Sequence, residues 1–136
     1  MLNIPKKKII CVWIGTQTSE SKLYEEYLQF DYENDEISNF GKEAELDYYD
    51  EDFIESWWFE KLELSKLLEY KDELLDAKFF FDDLVLDLKQ KNLEDKNFIT
   101  FLFGENSNNS VNEFLFDYKG MTLTSRDLEF VFKKEY

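Results

Sequence analysis

Residues 20–60 hold fifteen carboxylates against two lysines, Lys22 and Lys42, and so carry −13 of the chain's net charge of −15. The same stretch contains Tyr24, Tyr27, Phe30, Phe40, Phe53, Trp57 and Trp58. A disordered acidic segment is poor in large apolar groups, because it buries too little surface to offset the entropy of ordering. Acid interleaved with aromatics points instead to a folded element with a strongly negative outer face. Such a field speeds encounter with a basic partner and repels nucleic acid and anionic membranes. The flanks nearly balance, with +3 over residues 1–19 and sixteen acids against eleven bases over residues 61–136.

At 136 residues and 18% aromatic, the chain has material for one core, and a single domain over residues 1–136 is expected without disulfide or metal support. Cys11 is the only cysteine, which suits a reducing cytoplasm. Lys6-Lys7-Lys8 before the apolar Ile9–Ile14 resembles a signal peptide only superficially. The run is short and no small-residue cleavage site follows. No stretch approaches the ~18 apolar residues of a membrane span. A soluble cytoplasmic protein is expected. There is no histidine, which removes Ser-His, Cys-His and His-metal chemistry in their usual forms. With four glycines and no Gly-rich phosphate motif, there is no phosphate cradle either. No cofactor is expected, and any catalysis would have to rest on carboxylates, tyrosines, lysines or a bound metal.

Residues 8–14, ending at Gly15, read as a largely buried strand. Thr18 or Ser19 can cap a helix from about Glu20 to Phe30, and residues 31–36 form an acidic loop. Ser38 is an N-cap candidate for a short helix to about Leu46 that buries Phe40 and Ala44. After an acidic turn over 47–52, the spacing of Phe53, Ile54, Trp57 and Trp58 suggests one or two further helical turns. Leu64, Leu67, Leu68, Leu74 and Leu75 predict a helix over 64–76. Phe80, Leu84 and Leu88 predict another over 78–91, although Leu84, Leu86 and Leu88 also suit a strand. From Lys96 the period becomes two. Strands are expected over 98–103, over 111–118 with Phe114 and Phe116 on one face, and over 128–133. Polar turn formers fill 104–110, and Gly120 supplies a turn. The order predicts an α+β domain: an N-terminal strand, several helices, then a C-terminal antiparallel meander, with the helices on one face of the sheet. Trp13 and Phe53 are expected core residues.

Three groups of residues invite a functional reading. Asp31-x-Glu33-x-Asp35 has the oxygen spacing that opens a calcium loop. Glu36 then stands where glycine is needed and Lys42 where a bidentate glutamate is needed, so a solvated loop is the expected reading. Asp50-Glu51-Asp52 with Glu55 can cap a helix and complement its dipole, recognise a partner, or hold a divalent metal for acid–base work. No positioned base, nucleophile or oxyanion donor accompanies these carboxylates. Trp57-Trp58-Phe59 cannot all face one core from a helix, since neighbours there are ~100° apart. At least one is expected at the surface, either as an interface anchor or as the rim of a small core.

Several of these pieces recur together. Val12-Trp13-Ile14-Gly15 ends the first strand. Ser19-Glu20 opens a helix ending in Tyr27-Leu28. Ser38-x-Phe40 follows, and then Tyr49-Asp50-Glu51-Asp52-Phe53-Ile54-Glu55. This order and spacing resembles the immunity protein 22 family of bacterial polymorphic toxin systems. The likeness covers most of the first sixty residues, and the Phe-rich C-terminal strands look similar less specifically. Trp57-Trp58 and the Asn-rich 104–110 loop depart from the pattern. The resemblance implies a small cytoplasmic antitoxin without enzymatic activity, which binds and blocks a cognate toxin domain encoded by the adjacent gene.

Many such toxins are nucleases, which are basic where they grip phosphates, and an acidic inhibitor can fill that groove. The expected binding surface comprises Glu33, Asp35, Asp50, Glu51, Asp52 and Glu55, with Trp57 or Trp58 as its apolar anchor. Two other readings predict different behaviour. A general nucleic-acid mimic would inhibit several unrelated DNA- or RNA-binding proteins. A carboxylate-based metal-binding protein would respond to magnesium or manganese.

Overall fold

A strand sends successive side chains to opposite faces, so an unbroken apolar run needs cover on both. Residues 9–14 make such a run within strand β1, Lys8–Gly15. The computed structural model describes residues 8–44, 46, 49, 51–73, 80–105 and 128–135, and it supplies that cover. Four strands form one sheet in the order β2-β3-β1-β4. β1 pairs antiparallel with β3 (Phe98–Glu105) on one side and with β4 (Leu128–Glu135) on the other, the second register shifting between Val12 and Trp13. β2 (Ile54–Trp58) pairs antiparallel with β3 and ends the sheet among the described residues.

One face carries Ile10, Val12, Ile14, Ile99 and Phe101. It packs on Leu67 of α2 (Leu64–Leu68) and on Phe81, Leu84 and Leu88 of α3 (Phe81–Lys89). The other face carries Ile9, Cys11, Trp13, Phe98 and Leu102. Leu23 and Tyr27 of a π-helical segment, Lys22–Tyr27, cover it together with Phe40 of α1 (Asn39–Glu43), Leu46 and Tyr49. Trp13 meets Phe40 and Phe130 edge-on, with ring centroids 5.1 and 5.5 Å away. Each large apolar side chain buried in these clusters contributes about 1.5–3 kcal/mol relative to exposure.

The α+β class therefore holds, while the arrangement differs from the expected one. Helices cover both faces rather than one, because β1 has no polar side to leave in water. Among the described residues the C-terminal strands β3 and β4 are not neighbours, as a meander would require. β1 lies between β3 and β4, and both sides of β3 are taken, by β1 and β2. The expected strand over 111–118, the turn at Gly120 and most of the 104–110 loop lie outside the described residues. The helical turns expected around Trp57 and Trp58 are instead a single 3-10 turn, Glu51–Phe53, followed by β2. Strand geometry resolves the crowding of consecutive aromatics by sending Trp57 and Trp58 to opposite faces. The helix expected over 64–76 is shorter: α2 ends at Leu68, and a 3-10 turn follows at Lys71–Glu73. Phe53 is only half-buried, whereas Trp13 is 2% exposed.

Two local devices fix the acidic side of the molecule. Ser38 caps α1, its Oγ accepting from the Gly41 N–H at 3.1 Å, and it also hydrogen-bonds the Tyr49 hydroxyl. A Cβ on Gly41 would stand 2.7 Å from Ile37 Cδ1 and 3.0 Å from Tyr49 Cε1, so glycine permits this close approach. Burial pushes the Tyr49 phenol up to about 12, against the opposing effect of the Ser38 bond. The 31–36 loop closes on itself through the Asp31 N–H to the Glu36 carbonyl and the Glu36 N–H to the Asp31 carbonyl, at 3.0 and 2.9 Å. Within it, the side chain and then the backbone N–H of Asn34 bond the Asp31 carboxylate and hold it below the usual range. Asp35 takes the left-handed conformation at φ 53°, which aspartate tolerates better than most residues.

Candidate functional site

The expected surface divides between two elements. Glu33 and Asp35 stand exposed on the closed 31–36 loop, beside the stacked rings of Phe30 and Tyr32. Glu51 and Asp52 stand exposed on the 3-10 turn that leads into β2, and Glu55, Trp57 and Trp58 lie half-buried within β2. Asp50 lies outside the described residues. The 51–58 segment is thus the continuous part of the candidate site, with acidic groups entering an edge strand that ends in two indoles.

Ladder geometry places each group. Glu55 is opposite Phe101 and Trp57 opposite Ile99, on the face covered by α2 and α3. The Trp57 ring lies against Phe101 at 4.9 Å and Tyr70 at 5.4 Å between centroids, and its Nε1–H donates to Glu55 Oε1 at 3.1 Å. Trp58 is opposite Phe98 on the other face, where its Nε1–H is buried without a hydrogen-bond partner. Of the two anchors proposed from sequence, Trp57 therefore shares its face with a carboxylate and an exposed tyrosine, whereas Trp58 turns towards the inner cluster. Ser56 bonds Thr100 through the two hydroxyls at 2.8 Å.

Tyr24 and Tyr70 belong to this site but were missed by sequence reasoning. The helical spacing of Leu23, Tyr24, Tyr27 and Leu28 assigns Tyr24 inward, yet it is 40% exposed, as is Tyr70. The Tyr24 hydroxyl donates to the Ser56 carbonyl at 2.6 Å. Its phenol is raised above the ordinary range, first by burial and next by Glu20; the Trp58 backbone N–H acts in the opposite direction, and Glu55 and Tyr70 add to the rise. Tyr24, Glu20, Glu55 and Tyr70 therefore gather around β2. No local sequence signal brings residues 24, 56 and 70 together.

A second acidic feature is an open cleft of about 390 Å³, lined in part by Glu25, Glu26, Asp31, Glu36 and Lys42. Lys42 pairs there with Glu36 at 2.9 Å, and Lys22 pairs with Glu26 at 2.6 Å on the exposed helical surface. These two pairs engage both lysines of the 20–60 stretch. Ten of its described carboxylates (Glu20, Glu25, Glu26, Asp31, Glu33, Asp35, Glu36, Glu51, Asp52 and Glu60) are exposed.

Among the described residues no group of three or more His, Cys, Asp or Glu side chains is placed to hold a metal, and no helix is long and apolar enough to cross a membrane. Cys11 is buried in the inner cluster, and burial raises its thiol to about 12 against the opposing pull of Lys133. A thiol held in that form is a poor nucleophile. Comparison with protein-family models, with curated proteins and with solved structures finds no match.

Proposed function

We propose that this chain is an immunity protein: a non-enzymatic, cytoplasmic antitoxin that binds and occludes a cognate bacterial toxin domain through its acidic surface. The observation that carries the reading is the 51–58 segment. It sets the half-buried Glu55 beside the half-exposed Trp57 indole, with the exposed carboxylates of Glu51 and Asp52 on the turn that leads into the same strand. Acid at the rim steers a basic protein into encounter and chooses among partners, while an aromatic that loses its remaining water on contact slows dissociation. The resemblance of the first sixty residues to the immunity protein 22 family supports the same reading. It also supports a partner encoded by the adjacent gene. A toxin that cuts nucleic acid would present the complementary basic groove.

The test is a paired survival assay. The C-terminal domain encoded by the adjacent gene is expressed in a neutral host with and without this chain, and colonies are counted. The expected result is killing that this chain alone relieves, with the two proteins co-purifying. Reversing Glu51 and Glu55 to lysine is expected to weaken the complex by about tenfold or more while leaving the thermal midpoint near wild type. Protection that survives this double reversal would remove the 51–58 surface from the interface. A neighbour that kills regardless would remove the immunity reading itself.

A further inference from the structure

Among the described residues no strand pairs with the outer side of β2. The Phe59 N–H reaches inward to the Asn97 carbonyl at 2.7 Å, on the β3 side of the strand. By ladder alternation Glu55 and Trp57 also turn their backbone groups towards β3, and Ile54, Ser56 and Trp58 turn theirs away. The bond from the Tyr24 hydroxyl to the Ser56 carbonyl lies on that outer side, and the Trp58 N–H faces the same hydroxyl. A single phenol therefore stands where the main chain of a neighbouring strand would stand. Folded proteins usually blunt such an edge, since an open one templates pairing with another chain.

The surroundings specify what could pair there. Glu55 lies within the strand, Glu51 and Asp52 precede it, Glu60 follows it, and Glu20 stands beside Tyr24. Tyr24 approaches from the side of the π-helical segment, and Tyr70 lies on the opposite face against Trp57. A second copy of this chain would bring the same carboxylates into register with these, which disfavours self-pairing. We infer that the outer edge of β2 is a strand-docking site, which takes an extended lysine- or arginine-bearing segment of the toxin domain by main-chain pairing once the Tyr24 hydroxyl has swung off Ser56. Carboxylates meet the segment's cations, and Tyr24 and Tyr70 offer ring faces to them. The inference rests on the proposed immunity role for the identity of the partner, but not for the chemistry of the edge.

The direct probe is a short, blocked peptide of alternating lysine and valine, titrated into the isotope-labelled full chain. The Ile54, Ser56 and Trp58 amides are expected to shift and gain exchange protection, with a glutamate–valine peptide inert. Ser56→Pro removes an outward N–H, a change edge strands tolerate, and is expected to weaken peptide binding by about tenfold. Tyr24→Phe frees the edge and is expected to strengthen binding several-fold. A merely structural tyrosine would not produce that gain. A lysine peptide N-methylated on its pairing residues keeps its charge and is expected to lose binding without any change to the protein. The inference is overturned if the three amides do not respond, if the N-methylated peptide binds equally well, or if those amides are already protected by self-association in a concentration series without peptide. Survival assays fail independently: peptide docking without toxin protection retains the edge and removes the immunity role, and protection without docking does the reverse.

Discussion

β1 and β2 belong to one sheet and obey opposite rules. β1 is paired along both sides and covered on both faces, with residues 9–14 at most 2% exposed. β2 is paired to β3 along one side, and all five of its residues are half-exposed. Their sequences follow from these positions. Ile-Ile-Cys-Val-Trp-Ile has no polar side chain to satisfy, whereas Ile-Glu-Ser-Trp-Trp mixes a charge, a hydroxyl and two indoles with polar handles. An inner strand can contribute only stability. An edge strand retains enough exposed main chain and side chain to meet another molecule.

Substitutions in each strand can break this contrast. Trp13→Ala removes the centre of the inner aromatic cluster and is expected to cost about 3–5 kcal/mol in urea unfolding. A loss below about 1 kcal/mol would mean that β1 is not the packed axis of the sheet. Gly41→Ala tests the cover over that cluster. Its methyl would clash with Ile37 and Tyr49 and is expected to cost about 1–3 kcal/mol.

The Cys11 thiol gives β1 a pH signature. An unfolded thiol ionises near its ordinary 9.0, while the folded one holds its proton to about 12. Stability from this group is thus complete below pH about 9 and is lost as pH rises towards about 12, by at most about 1.4 kcal/mol per unit. Tyr49 acts in the same direction above its ordinary 10.0. Urea midpoints measured near pH 8 and pH 10.5 should therefore fall less steeply in Cys11→Ala than in the wild type.

The β2 indoles sharpen the contrast at smaller cost. Trp57→Ala is expected to lower stability by only about 1–2 kcal/mol, because its ring is half-exposed, while weakening binding of the proposed toxin partner more than any single carboxylate change. Trp58→Phe deletes an N–H that has no partner, and it is expected to stay within about 1 kcal/mol of wild type. A larger loss there would show that the packing of the indole's second ring, and not its N–H, sets the contribution of Trp58.

Much of the inner architecture was legible residue by residue. The apolar run of β1, the capping role of Ser38, the Phe81–Lys89 helix with its Leu84 and Leu88 stripe, and the alternating pattern of β3 and β4 are all local signals of period and composition. The site was less legible. Phe53, Ile54, Trp57 and Trp58 fit a helical period, but pairing with β3 made the segment a strand, since the hydrogen bonds of an edge strand come from residues about forty-five positions away. The same non-locality hid Tyr24, whose spacing places it on a helix's inner face but whose hydroxyl meets Ser56.

The sequence by itself determined that a strongly negative, aromatic-rich stretch must be ordered, that the first strand must be buried, and that the chain is α+β. Charge, period and apolar content are properties of neighbouring residues and survive any arrangement of the elements. Only the tertiary structure decided that β1 lies between β3 and β4, that helices cover both faces, and that β2, the last strand of the sheet among the described residues, has Tyr24 and Tyr70 on either side of it. Those outcomes depend on which strands pair and which faces meet, and contacts between distant parts of the chain carry no local signature.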